Sequence, residues 1–422
     1  MRVMWMSINA SMLDEHQSFG LTAPLEKALA DHYGDRMQLA VVFASGRGEE
    51  YTVTRGRTTY YGLRRDMGLC KKLWSLADAE KKWELQKPKV LQTIRDFSPD
   101  IIECFGAEWP YGAIAAEVDV PVVIHMMGFL NIYYPSLRLA ISNGERHRQM
   151  MRHIGSWTSA LFLKKAESSA ARLERRIMAA NRYFMGRTDW DRLIVQYYSP
   201  GAVYYHVPEA IRPEIYAAAG QWRYHFGGEK LRLLTVTQSD ARKGNEIILQ
   251  TARLLRELLG LDFTWRVTGN KETYAPFERR TGIRHEDVNV TLLGRIEPTE
   301  VIEELRQADL FIHPSLIDNS PNSVCEAQLI GCPVIASNVG GVPQLVRHGE
   351  TGFLYPYNEP HTLAFLIGNL YRSKELLTQI SQNEVSLACR RHDPKAVADA
   401  VFAAYEAIIA SDRQRRSADA RR

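Results

Sequence analysis

Residues 313–341 read HPSLIDNSPNSVCEAQLIGCPVIASNVGG, and their order of residue types decides the fold. The run 309–314 is short, β-branched and aromatic, and it ends at Pro314, which predicts a buried strand. Ser320 is expected as a helix N-cap with Pro321 at the first helical position, where a missing N–H is harmless. The helix should run to about Ile330 and stop at Gly331, with Cys332-Pro333 opening the next strand. Such a start leaves the amides of Asn322, Ser323 and Val324 at the positive end of the helix dipole, a seat for a diphosphate. Glu326 lies one turn further in. Helical side chains lean toward the N-terminus, so its carboxylate is expected to reach a ribose beside the phosphate. Asp318 stands at the loop mouth, placed to hydrogen-bond hydroxyls on the group beyond the diphosphate.

The same alternation of short apolar strands and helices runs through the whole chain, which argues for an α/β protein with parallel, doubly wound sheets. Strands are expected near 3–8, 39–43, 101–104, 120–125 and 183–185 in a first half. In a second half they are expected near 231–237, 263–268, 288–293, 310–313, 333–336 and 352–355. The segment 199–228, rich in Pro, Gly and aromatics, separates the halves. The expected division is 1–207, 208–390 and a closing piece, 391–422, made of an Ala-rich helix over 395–410 and a frayed polar tail from Ser411.

A chain of 422 residues is long for one core, and 45% apolar with 24% charged residues is ordinary for a globular protein. The opening residues form a strand too short for a secretory signal, and no apolar run approaches the length of a spanning helix. Cys70, Cys104, Cys325, Cys332 and Cys389 lack the spacing of metal ligands, so a reduced, cytoplasmic setting is expected.

The net charge of +4 is unevenly spread. Basic residues crowd 55–89 (Arg55, Arg64-Arg65, Lys71-Lys72, Lys81-Lys82, Lys89) and 146–182, interleaved with Trp74, Trp83, Trp157 and Met178. This predicts amphipathic helices, read either as solvated faces backed by core residues or as a patch for an anionic membrane surface on the inner face of the plasma membrane. No motif accompanies them that would read nucleic acid. In Gly186-Arg-Thr-Asp-Trp-Asp-Arg192 the two aspartates invite a metal reading, but Thr188 with Asp191 three residues on is a capping-box start, and no metal site is expected.

Asp318 and Glu326 bracket seven residues and are followed by Ala327, the run Gly331–Ala336 and the Gly340-Gly341 turn. This resembles the donor-site signature of family 4 retaining glycosyltransferases of the GT-B fold, among them bacterial envelope and exopolysaccharide enzymes. Gly349–Pro356 resembles the turn and strand that follow in that family, and Leu292–Ile296 the strand end whose backbone faces the base. Lys243 before Gly244 matches a phosphate-binding lysine, with Arg242 beside it. There are two departures. The first acid is usually Glu and here is Asp318, a shorter arm that bears on sugar position and choice. The family also commonly carries an Arg just after the preceding strand, where this chain has Thr237-Gln238.

The resemblance implies two Rossmann-like domains facing across a cleft and a nucleotide-diphosphate sugar as donor substrate, with no cofactor. It implies transfer with retention to a saccharide or lipid-linked saccharide. His125, Asp318 and Lys243 form the implied catalytic set. The donor would be held by Lys243, Arg242, Gly20, Gly269, Ile296, Asp318, Ser320, Asn322, Ser323, Val324 and Glu326. His125, at the end of 120–125, would approach the sugar, because ligands of open α/β sheets gather at carboxyl strand ends. Glu108 would face the acceptor. Lacking a placed nucleophile, the reaction is expected to take a front-face route in which the leaving phosphate helps deprotonate the acceptor. Two alternatives stay open: a transferase acting on a soluble small molecule or sugar phosphate, and a GT-B protein that binds nucleotide sugars without turning them over.

Overall fold

The computed structural model describes residues 1–13, 22–45, 49–64, 78–140, 158–225, 230–237, 241–269, 271, 274–419 and 421. They fold into two units, Met1–Ala210 with Pro394–Arg422, and Ile211–Asp393.

In the first unit, β1 (Arg2–Met6), α1 (Thr22–Tyr33), β2 (Gln38–Ser45), β3 (Tyr51–Arg55) and β4 (Thr58–Arg64) are followed by α2 (Ala79–Phe97) and β5 (Ile101–Phe105). Then come β6 (Val122–His125), α3 (Leu130–Ala140), α4 (Thr158–Ala180), β7 (Tyr183–Gly186), α5 (Asp189–Tyr198) and β8 (Val203–His206). The sheet runs β3-β4-β2-β1-β5-β6-β7-β8. Every pairing is parallel except the β3–β4 hairpin. Val3–Met6 and Ile101–Cys104 are fully buried, as strands covered on both faces must be.

The hairpin corrects the expectation of amphipathic helix where the first basic stretch covers 55–64. Arg55 and Arg64 lie on strands joined at Gly56, and α2 starts where Asp78 accepts from the Glu80 and Lys81 amides. Residues 65–77 and 141–157 lie outside the described set. In the described parts of the basic stretches most of the large apolar side chains are core, with Leu85 exposed. Trp83 on α2 and Leu173, Ile177 and Met178 on α4 are buried, while Arg172, Arg175 and Arg176 stay outside.

The second unit begins with α6 (Pro213–Ala217), β9 (Leu231–Thr235), α7 (Asn245–Glu257), β10 (Phe263–Thr268), α8 (Ala275–Thr281), β11 (Val290–Gly294) and α9 (Pro298–Gln307). It continues through β12 (Leu310–His313), α10 (Asn322–Ile330), β13 (Val334–Ser337), α11 (Val342–Leu345), β14 (Phe353–Tyr355), α12 (Pro360–Leu370) and α13 (Lys374–Arg391). All six strands sit where the apolar runs place them. The order β11-β10-β9-β12-β13-β14 is wholly parallel and reverses between β9 and β12. That reversal opens a crevice at the carboxyl ends of those two strands, the place where ligands bind in such sheets.

The chain returns to the first unit as α14 (Pro394–Asp419), whose Val397, Val401, Tyr405 and Ile408 join the core over β1 and β5. Helix continues through 411–419, where a frayed tail was expected. The reason is local: Asp412 accepts from Arg415 and Arg416, and Arg416 also reaches Asp119.

One buried acid of the second unit has a measurable consequence. Glu384 on α13 is fully buried, and neither of its oxygens makes a hydrogen bond of normal geometry among the described residues. Burial holds its carboxyl well above the usual range, and the nearby Val334 amide offsets this only in part. A folded-state pKa raised in this way gives stability that is full below the unfolded value of 4.5 and is lost as pH rises toward the folded one. Glu384→Gln is therefore expected to raise the melting temperature at pH 8 by a few degrees, at roughly 2–4 °C per kcal/mol. Near pH 4 it should change little. Differential scanning fluorimetry across pH reads this, and a gain that is the same at both pH values would refute it.

Candidate active site

The crevice between β9 and β12 is built by two loops laced together. After β9 the chain makes a tight turn, Ala241–Lys243, and Gly244 takes a left-handed conformation with φ 71° before α7 begins. A Cβ at Gly244 would stand 1.9 Å from the Pro314 carbonyl oxygen, so only glycine lets the two loops touch. The Leu316 amide donates to the Arg242 carbonyl at 2.7 Å. This lacing brings Lys243 Nζ to 2.6 Å from Asp318 Oδ2. On the far side Gly340, at φ 53°, would place a Cβ 1.9 Å from the Asp318 carbonyl oxygen, and the Gly341 amide donates to that oxygen. The glycines of the motif thus set the backbone of Asp318.

Asp318 is tightly held. Its carboxylate accepts from Ser315 Oγ and the Asn319 amide besides Lys243, and His313 Nε2 lies 3.3 Å away, out of line for a hydrogen bond. Burial pushes its pKa up, but the Lys243 ammonium outweighs this and holds the carboxyl below the usual range. Burial lowers the pKa of His313 despite the Asp318 charge, so the imidazole is neutral beside an ionised acid.

The helix start differs from expectation by one residue. Pro321, extended at ψ 118°, is the N-cap, and α10 begins at Asn322. Ser320 is a buried loop residue rather than the cap. Val324 is also reassigned: its amide donates to the Pro321 carbonyl at 3.0 Å and its side chain is fully buried, so it is not among the open donors. Asn322 and Ser323 remain at the mouth of a helix that no side chain caps. Glu326, one turn in, accepts from Arg212 Nε at 3.0 Å and Nη2 at 2.7 Å. Gly269 ends β10 with its amide on the Gly294 carbonyl, and Ile296 is half-buried between β11 and α9.

In the first unit, His125 ends β6 with its side chain fully buried and stacked on Phe105. Its Nδ1 lies 2.7 Å from Glu103 Oε1, while Nε2 has no partner among the described residues. Tyr405 of α14 donates to the other oxygen of Glu103 and accepts from Trp5 Nε1 at 2.9 Å. Buried Glu103 thus fixes the imidazole ring, the type of oriented pairing that decides which nitrogen carries the proton. Glu108 follows β5; burial and the Glu174 charge push its carboxyl up to about 8, against the pull of the nearby Gly128 amide and Arg187. Its Oε2 is buried without a partner among the described residues. Arg187 pairs with Glu209 at 2.6 Å and donates to the Met126 and Met127 carbonyls, which secures the loop after His125. Gly20 lies outside the described residues.

Thr188 caps α5 in a full capping box with Asp191, whose carboxylate is spent on the Arg187 and Thr188 amides. Among the described residues no group of three or more His, Cys, Asp or Glu side chains could hold a metal. None of the described helices is long and apolar enough to cross a membrane.

The second unit's sheet order, its laced crevice and its two acids agree with a comparison to known families. Residues 221–385 match the family model described as glycosyl transferases group 1. Over that span the chain is similar to the group 1 glycosyl transferases. The amylovoran biosynthesis glycosyltransferase AmsK of Erwinia amylovora is 29% identical over 147 residues, 33% of this chain and 35% of that protein. The match thus spans about a third of the relative's length. Over the whole fold, sucrose-phosphate synthase of Thermosynechococcus elongatus superposes with a TM-score of 0.73 at 15% identity, covering 97% of this chain and 99% of that one. HepE of Anabaena, solved with UDP-glucose, gives 0.64 at 16%, covering 96% and 99%. The fold is therefore of the GT-B type, two Rossmann-like units whose sheets are parallel apart from the β3–β4 pair.

Four residues around the β9–β12 crevice and His125 escape a reading of the sequence: Arg212, His313, Glu103 and Tyr405. His313 opens the diagnostic stretch, yet only the fold aims its ring at Asp318. An acid inside the apolar run Ile101–Phe105 was the one available sign of Glu103.

Proposed function

We propose that this chain transfers a sugar, with retention of anomeric configuration, from a nucleotide-diphosphate sugar to a saccharide acceptor in envelope or exopolysaccharide synthesis. The observation that carries the reading is the meeting of Lys243 and Asp318 at the switch point of the second unit's sheet, beside an uncapped helix start. The diphosphate would lie on the Asn322 and Ser323 amides and Lys243, with Arg242 at its edge and the ribose on Glu326. Gly269 and Ile296 would border the base, and Asp318 would take sugar hydroxyls. AmsK's named role in amylovoran synthesis and the UDP-glucose bound by HepE support the acceptor class and the donor class.

The bond from the anomeric carbon to the diphosphate oxygen breaks, and its electron pair leaves with the nucleotide. The acceptor oxygen bonds to that carbon from the same face, and its proton passes to the departing phosphate. Lys243 and the helix amides stabilise the growing charge, which a preorganised site does without rearranging. No cofactor or metal has a part in this scheme. His125 is assigned a hydrogen bond to the sugar, and Glu108, protonated near neutral pH, one to the acceptor.

The preferred acceptor is lipid-linked, with the exposed arginines of α4 drawing the protein to the anionic cytoplasmic leaflet, each contributing about 1 kcal/mol near the surface. A panel of UDP- and GDP-sugars screened by thermal shift should single out the donor, since a ligand of the native state raises its melting point. That donor is then offered, in EDTA, with a lipid-linked saccharide in anionic vesicles and with soluble sugar phosphates. No stabilising nucleotide sugar would sink the reading. Product only from soluble acceptors would favour the small-molecule alternative, and a need for manganese would overturn the metal-free scheme.

A further inference from the structure

We infer that Arg212 is a positioning residue of the nucleotide site, which holds the Glu326 carboxylate in the orientation that receives the ribose hydroxyls. The inference rests on the ribose reading of Glu326 and adds the group that makes such a role workable.

Glu326 has only 5% of its side chain exposed and Arg212 only 14%, so the pair is largely removed from water. A carboxylate taken out of water is costly unless an opposite charge and hydrogen bonds meet it. Two Arg212 donors, Nε and Nη2, converge on the single oxygen Oε1, which fixes the position of that oxygen and balances its charge.

The backbone that carries Arg212 is itself anchored. Its carbonyl accepts from the Ile215 and Tyr216 amides at the start of α6, and Ile211 and Ile215 on either side are buried. Eight residues on, the Gly220 amide donates to the Leu329 carbonyl and the Trp222 amide to the Ile330 carbonyl. The segment 211–222 is therefore tied to α10 at two places, its arginine at Glu326 in the middle of the helix and its amides at the last turn. A side chain that merely neutralised a buried acid would not need so rigid a base. One that sets an acceptor within a few tenths of an ångström of a ligand does, because ligand hydrogen bonds are lost when supporting residues are loose.

The test is calorimetric titration with UDP and GDP, each against its 2′,3′-dideoxy form, on folded full-length protein. The tighter-binding nucleotide is carried into the variants. Arg212→Met is expected to weaken the ribonucleotide about tenfold, the size of one oriented hydrogen bond to a charged group. The dideoxy analogue should change less than about twofold. Arg212→Lys should recover part of the loss, and Arg212→Met added to Glu326→Gln should cost nothing further. An equal loss for both nucleotide forms would show a general structural role and overturn the inference. So would a weakened ribonucleotide in Glu326→Gln with none in Arg212→Met. If Glu326→Gln itself leaves the ribonucleotide unchanged, the ribose reading has failed, and Arg212 falls with it. Should Arg212→Met not fold, Arg212→Gln, which keeps a planar donor, carries the same comparison.

Discussion

Lys243→Ala is expected to lower turnover about a hundred- to a thousandfold, the usual cost of removing one group that stabilises transition-state charge. Donor affinity should fall only about tenfold. The difference follows from where the charge is. A bound nucleotide-diphosphate sugar already carries charge on its phosphates, but the bridging oxygen gains more as the glycosidic bond breaks. A lysine at that oxygen therefore stabilises the transition state beyond the ground state. There is a second contribution. Lys243 lies 2.6 Å from Asp318 and is the main charge that keeps that acid ionised against burial. Without it, Asp318 faces neutral His313 at 3.3 Å and loses the partner that fixes its position. Sugar hydroxyls then meet a misplaced or protonated acid, and turnover suffers again. Steady-state kinetics with the donor found by screening give kcat and KM separately. Equal losses in both, or no loss, would reduce Lys243 to a solvated helix-start residue.

The parts of this site that could be read from the sequence are those whose neighbours lie close along the chain. The six strands of the second unit are short apolar runs bounded by Gly, Pro or charge, and each appears in the structure. The acid spacing, the helix start and the turn at Gly340-Gly341 are local as well. What could not be read is what tertiary packing decides. Arg212 and Glu326 are 114 residues apart, and Glu103 and Tyr405 are 302 apart. No periodicity links such pairs. The β3–β4 hairpin was lost for a different reason. Val53 and its strand neighbours are exposed at the sheet edge, so the stretch lacks the apolar signal of a buried strand, and its arginines pointed to a helix face instead. The helix-start error is of a third kind. Pro321 satisfies the rule for a first helical residue in φ, but its extended ψ leaves it outside the helix. Only the backbone could show that.

Glu326→Ala should weaken binding of the nucleotide by roughly ten- to a hundredfold, because the ribose hydroxyls lose a charge-assisted hydrogen bond of about 1.5–3 kcal/mol. The loss should be as large for the bare nucleoside diphosphate as for the nucleotide sugar, since the sugar lies beyond the group Glu326 touches. Turnover at saturating donor should change much less, as a ribose contact is equally present in ground and transition states. This pattern is the reverse of the one expected for Lys243→Ala, so the two variants check each other. The alanine variant carries a stability cost that must be separated from affinity. Removing one member of a buried ion pair leaves the other desolvated and can cost about 3–5 kcal/mol. Arg212 is less buried than its partner, which places the loss toward the lower end. Affinity is therefore read by titration at a temperature where circular dichroism shows the variant folded. A folded Glu326→Ala protein that binds the nucleoside diphosphate as tightly as the parent would remove Glu326 from the donor site. The acid would then be a structural partner of Arg212 alone.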